Sequence, residues 1–254
     1  MRPASFLSFI AVALVFASTA RGADSAEELI RKGDVFYDKL QPAEALRFYL
    51  PAEKQDPKNA HLLVRIARQY RHLMTETTKR EEKVQFATTA VNYSQRAVAL
   101  APRDPETQLA LAISVGKLLP FQSSKEQIAN SRIVKTAVDK VIALAPDDDL
   151  GWHILGRWYF NVADVGTVKR ALARVVYGEL PQGKYEDAVR CYEKAIGLNP
   201  NRLIHYIELG RTYAAMGRKE EARKFISKGL AMPNTEKDDP EEKDRGRQIL
   251  EKLR

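Results

Sequence analysis

From Ala26 to the C-terminus, large apolar residues recur three and four positions apart, the spacing of helices that each bury one face. A proline punctuates these helical blocks: AEKQDP, AVALAP, VIALAP, AIGLNP and GLAMP end at Pro57, Pro102, Pro146, Pro200 and Pro233. The prolines lie 45, 44, 54 and 33 residues apart. The last interval is close to a two-helix repeat of about 34 residues, and the others are that repeat with insertions.

Such a template fits each copy. The first unit puts Gly33, Phe36, Ala45, Tyr49, Ala52 and Pro57 at positions 8, 11, 20, 24, 27 and 32. The fourth, from Asp149, gives Trp152, Leu155, Gly156 and Tyr159 at 4, 7, 8 and 11, then resumes with Gly183, Ala188, Tyr192, Ala195 and Pro200. The fifth, from Leu203, gives Tyr206, Leu209, Gly210, Tyr213, Gly217 and Ala222. Units two and three are more degenerate, matching at Leu63, Ile66, Ala67, Tyr70, Leu111 and Ala112. Small residues at 8 and 20 predict close approach of the two helices of a hairpin, and larger ones at 4, 7, 11 and 24 predict filling between hairpins. The fold expected is all-α: an α-solenoid of about five tetratricopeptide-like helical hairpins, near 26–59, 60–104, 105–148, 149–202 and 203–236, with a polar C-terminal capping helix over 240–254.

Capping chemistry places the helices. Thr78-Lys79-Arg80-Glu81 and Ser124-Lys125-Glu126-Gln127 read as capping boxes that start helices at about Lys79 and Lys125. Pro105 and Pro240 suit first helical turns, and Pro120 ends the first helix of unit three. The insertions of units two and three read as longer hairpins. That of unit four, between Phe160 and Gln182, reads as an additional short basic helix over Thr167 to Tyr177.

Residues 1–20 are an expected signal peptide. A positive start, an apolar run from Phe6 to Ala17 of 12 residues, and the small residues Ser18, Thr19 and Ala20 predict cleavage after Ala20 and export, periplasmic or secreted. A membrane span needs about 20 apolar residues, so an uncleaved anchor on a cytoplasmic or membrane-bound chain is the alternative. Hydrophobic residues make up 44% of the chain and charged ones 29%, which excludes a multi-span membrane protein and a disordered one. The single Cys191 excludes a disulfide framework and reads as a small buried apolar residue.

No catalytic constellation survives a spacing test, so no enzyme, cofactor or metal site is expected. His61 and His72 lie about 16 Å apart along one helix, too far to share a metal. His153 and His205 lie near the starts of the first helices of successive units and can approach, without a carboxylate at ligand spacing. Asp147, Asp148 and Asp149 read as caps, and the acidic stretch TEKDDPEEKDR as a solvated surface.

One feature exceeds scaffold. Template position 9, which faces the concave surface, is Asp34, Arg68, Ile113, Arg157 and Arg211 in the five units, and Arg71, His72, Lys117, His153 and Asn161 lie nearby. With a net charge of +8, this predicts a basic groove of one dominant sign. Its arginines suit an extended acidic segment, a terminal carboxylate or an anionic head group. Helix propensity alone could also place them on a solvated face. Alanine at Arg157 and Arg211 is expected to weaken partner capture and spare the fold. Specific nucleic-acid binding is not expected, because the groove arginines lack interleaved exposed aromatics.

Leu155-Gly156-Arg157-Trp158-Tyr159, Lys169-Arg170, Leu180-Pro181, Tyr185-Glu186-Asp187-Ala188, Leu209-Gly210 with Tyr213, and Arg65-Ile66-Ala67-Arg68 resemble the regulator of microtubule dynamics family. The resemblance covers about Ala60 to Arg254. It implies an all-helical, non-enzymatic protein, with tubulin as partner if the chain is cytosolic. The residues themselves point to an exported adaptor that binds a partner protein through an acidic segment.

Overall fold

The computed structural model describes residues 24–165, 170 and 181–254; the expected signal peptide over 1–20 and, apart from Arg170, the additional helix over 167–177 lie outside the described residues. Eleven α-helices follow one another among the described residues: α1 (Ala26–Asp38), α2 (Pro42–Gln55), α3 (Ala60–Glu76), α4 (Arg80–Leu100), α5 (Pro105–Leu118), α6 (Ser124–Leu144), α7 (Asp149–Ala163), α8 (Tyr185–Leu198), α9 (Leu203–Ala215), α10 (Lys219–Ala231) and α11 (Asp239–Lys252). They pair as five antiparallel hairpins followed by α11. Each helix packs on its sequence neighbours, and α3, α5, α7 and α9 also touch in succession. That is an α-solenoid, whose hairpins bury their apolar faces only by stacking.

One local device repeats at the joints. Asp56, Ala101, Ala145 and Asn199 follow α2, α4, α6 and α8 with φ between −129° and −141° and ψ between 69° and 88°. The next residue is proline each time, and proline excludes its predecessor from the helical region. Three residues further on, Asn59, Asp104 and Asp148 cap the following helix, accepting from the amides of Leu62 (3.0 Å), Glu106 (2.8 Å) and Gly151 (2.7 Å). At the fourth joint this place is held by Arg202, whose side chain caps nothing.

The capping boxes are shifted from the expected ones. α6 begins at Ser124, and its box pairs Ser123 with Glu126: the Glu126 amide donates to Ser123 Oγ, and the Ser123 amide donates to Glu126 Oε2 at 2.9 Å. Ser123 and Ser124 offered two registers, and the charged Glu126 outcompetes Gln127 at the positive helix start. Before α4 the serving hydroxyl is that of Thr77, which accepts from the Lys79 amide at 3.2 Å and donates to Glu82 at 2.6 Å; α4 starts at Arg80.

The small position 8 is filled differently from expectation in two units. A Cβ on Gly33 would lie 2.4 Å from the Tyr49 ring, and one on Gly156 would lie 2.9 Å from the Tyr192 ring. The tyrosine at position 24 therefore fills a notch inside its own hairpin and also shares a core cluster with the next one, Tyr49 with Leu62 and Ile66 and Tyr192 with Leu209 and Tyr213. In unit five the helices meet as the template requires: a Cβ on Gly210 would lie 2.9 Å from the Ala222 carbonyl oxygen and from the Ile226 amide nitrogen. Backbone cannot swing aside as a side chain can, so Gly210→Ala is expected to cost about 1–3 kcal/mol. Urea denaturation reads this directly, and an unchanged midpoint would mean that α10 can slide away from α9.

Candidate functional site: the concave groove

The first helices of the hairpins face a cavity of about 970 Å³. Arg68, Arg71, Lys117, His153, Arg157 and Asn161 line it, as do the apolar Ile113, Ile128, Trp158 and Val162. Arg211, expected alongside them, is not a lining residue: its guanidinium lies 4.0 Å over the Phe160 ring and pairs with Glu208 at 3.1 Å.

The groove does not carry a single sign. The connection between α10 and α11, residues 232–238, crosses it and brings carboxylates. Glu236 pairs with Arg68 and with Arg202, both at 3.0 Å. Asp238 pairs with Lys117 at 2.6 Å and accepts from the Thr75 hydroxyl at 2.6 Å. Lys237 pairs with Glu76 at 2.6 Å and donates to the Leu40 carbonyl. The acidic stretch expected on a solvated surface is thus partly engaged in the groove, with Asp239 and Glu242 buried. Burial works against the Asp238 carboxylate, but the Lys117 charge and the Lys117 and Thr75 hydrogen bonds win and hold it down to about 2.

Beneath this layer the charge is buried. Glu208 on α9 is fully buried and pairs with Arg211 and Arg245, both at 3.1 Å. Arg157 is raised despite burial by the nearby Glu208 and Glu242 carboxylates. Burial, then the Glu208 charge, pushes Glu242 up, while the surrounding arginines outweigh burial at Glu208 and hold it down. On the other wall Arg71 donates to Ser114 Oγ at 2.9 Å, and Ser114 meets Ser94 at 2.9 Å, joining α3, α5 and α4. Burial lowers Arg71 to about 10 and, with the Arg68 charge, His72 to about 3.

His153 and His205 do approach, Nδ1 to Nδ1 at 3.0 Å. The sequence reading missed the carboxylate that completes the chain: Asp149 Oδ2 lies 2.8 Å from His205 Nε2 and 2.8 Å from Arg202 Nε. Of the three aspartates expected as caps, Asp148 takes that role and Asp149 orients His205 and Arg202. Among the described residues no three His, Cys, Asp or Glu side chains form a group that could hold a metal. Cys191 is buried, and burial pushes its thiol up to about 12, far from a nucleophile's range.

The aromatics absent from the expected groove are partly present, since Arg68 stacks 4.7 Å over Tyr37, itself a lining residue. Residues that sequence reasoning passed over are Arg202, Glu236, Asp238 and Glu242. The missing Asx cap at Arg202, and two acids spaced by two just after Pro233, were the available signals.

A family model described as "Regulator of microtubule dynamics protein 1-3" matches residues 29–254. Regulator of microtubule dynamics protein 1 of Mus musculus is 27% identical over 243 residues, covering 92% of this chain and 77% of the relative, and that of Bos taurus is 28% identical, covering 84% and 67%. Regulator of microtubule dynamics protein 2 of Mus musculus is 23% identical, and the match spans 52% of its length. Among solved structures, a thermophilic TPR protein of Thermus thermophilus matches with a TM-score of 0.61 at 15% identity, over 89% of this chain and 99% of that one. A MamA fragment of Desulfovibrio magneticus RS-1 matches at 0.52 and 15% identity, over 82% and 94%. These two likenesses concern the fold, which is that of tetratricopeptide proteins.

Proposed function

We infer that this chain, which belongs to the regulator of microtubule dynamics family, is a non-catalytic scaffold that takes an acidic segment of a partner protein into its concave groove. The carrying observation is that Arg68, Lys117 and Arg202, on three first helices or their starts, converge on one cavity and hold carboxylates there at 2.6–3.0 Å. Guanidinium and ammonium groups at such separations recognise carboxylates by charge-assisted hydrogen bonds. Stacked hairpins supply the long concave surface that extended partners use.

A photo-crosslinking residue at Asn161, exposed at the groove, tests this against the same residue at Leu100, exposed on a second helix. Enrichment of acidic partner peptides at Asn161 only is the expected result. Equal yields at both positions would contradict the reading. The signal-like first 20 residues support export, and the mature chain should then begin at Arg21 on N-terminal sequencing. A chain that keeps Met1 would favour the second reading, drawn from the names of its relatives, in which the partner is tubulin and the protein pellets with microtubules.

A further inference from the structure

The connection between α10 and α11 reaches back across the molecule. Glu236 and Arg68 are 168 positions apart in sequence, and Asp238 and Lys117 are 121 apart. A seven-residue linker thereby ties the last hairpin to α3, α5 and the turn between α1 and α2.

Its hold is electrostatic rather than apolar. Pro233, Asn234 and Thr235 are largely open to solvent, and the side chains of Glu236 and Asp238 keep 32% and 27% of their exposure. Part-buried ion pairs of this kind are screened by salt less than exposed ones, yet they still weaken as ionic strength rises, which an apolar seat does not. The shape of the turn is set separately from its seat in the groove. Asp239 Oδ2 accepts from the amides of Thr235 and Glu236, both at 2.7 Å, within the turn itself. Asp238, which precedes α11 where a capping residue belongs, makes no side-chain cap there and spends its carboxylate on Lys117 and Thr75 instead. α11 is anchored elsewhere, through Leu253 and Ile249 against the α9–α10 hairpin and through Arg223 to the Leu253 carbonyl. The loop can therefore leave the groove while α11 stays docked.

We propose that this loop is a resident, displaceable occupant of the groove, and that an acidic partner segment carrying two carboxylates two residues apart enters by replacing Glu236 and Asp238 on Arg68, Arg202 and Lys117. The proposal rests on the groove reading above. A tethered occupant competes at an effective concentration in the millimolar range, so the groove is closed to weak acidic ligands and opens to those that match the Glu-x-Asp spacing. Raised ionic strength loosens the loop and the ligand alike, which sets a narrow salt window for exchange.

The test is fluorescence anisotropy with a labelled peptide of sequence PNTEKDD, the chain's own residues 233–239, added to the full-length protein. Glu236→Gln with Asp238→Asn should bind the probe at least about tenfold more tightly than the unaltered chain, as expected when a competing closed state is removed. Adding Lys117→Ala should abolish the gain, and a probe with Gln and Asn in place of its Glu and first Asp should not bind. Equal affinity for the unaltered and altered chains, or no binding by either, overturns the proposal. Should the double variant fail to fold, Lys237→Glu releases the loop at Glu76 and Leu40 without touching the groove carboxylates, and it too should tighten probe binding. The two readings fail separately: acidic crosslinks at Asn161 with no gain in the loop variants leave the groove a binding site and the loop a fixed strut, while a gain without crosslinks does the reverse.

Discussion

Alanine at both Arg157 and Arg211 is expected to lower folding stability by about 3–5 kcal/mol, the range for stripping partners from a buried charge. The sequence reading treated these arginines as free to change. The structure overturns that, because Glu208 is fully buried and faces both: Arg211 pairs with it at 3.1 Å, and Arg157 is among the charges that hold it ionised. Arg245, also 3.1 Å from Glu208, stays behind and places the loss toward the lower end. Arg211 further gives up its stacking on Phe160. Urea denaturation of the two chains measures the difference, and adding Glu208→Gln should recover part of it, since the stranded carboxylate is the source of the cost. A loss below about 1 kcal/mol would place these arginines in the surface class of weak pairs instead.

Acid should destabilise the fold well before the carboxylates titrate. Burial lowers His72 to about 3, so it takes no proton in the folded chain at pH 5 but does when unfolded; burial and the His205 charge lower His153 well below its ordinary value, in the same direction. The unfolded state binds more protons, so stability is full above about pH 6.5 and falls as pH drops from there toward 3. For His72 the loss at pH 5 is about 2 kcal/mol. The groups facing it are Arg68, Arg71 and Lys117, which resist a further positive charge, and Asp238, which favours it. Glu242 opposes the trend, because its raised carboxyl takes up a proton more readily folded than unfolded. Asp238 contributes below this window: its lowered carboxyl stabilises the fold above its unfolded value and stops doing so as pH falls toward 2. Stability curves between pH 7 and 5 for the unaltered chain and for His72→Gln check the sign. Equal slopes would show that His72 titrates alike in the folded and unfolded chains.

How much was legible in the sequence depended on the range of each interaction. Pro57, Pro102, Pro146 and Pro200 end helices through their effect on one neighbour, and Asp148 caps an amide three residues on, so a linear reading finds them; the caps Asn59 and Asp104 are equally local signals. The capping box lies at Ser123, one residue before the expected Ser124, because two adjacent serines compete for it. Tyr49 and Tyr192 reach the next hairpin as their spacing predicts, but spacing alone does not say that each ring also enters the glycine notch of its own hairpin. The groove's cationic side chains followed from the repeat register, with Arg211 the exception. Their carboxylate partners did not, because the approach of Glu236 to Arg68 depends on how five stacked hairpins curve, and no local spacing encodes that.

The most direct measurement is a double-mutant cycle on Lys117→Ala and Asp238→Ala, followed by urea denaturation. With the last linker seated against the third hairpin, the two changes share one contact and should show a coupling of about 0.5–3 kcal/mol. Simple additivity of the two losses would mean that the linker does not lie in the groove, and the account of a carboxylate-accepting concave face would fall with it.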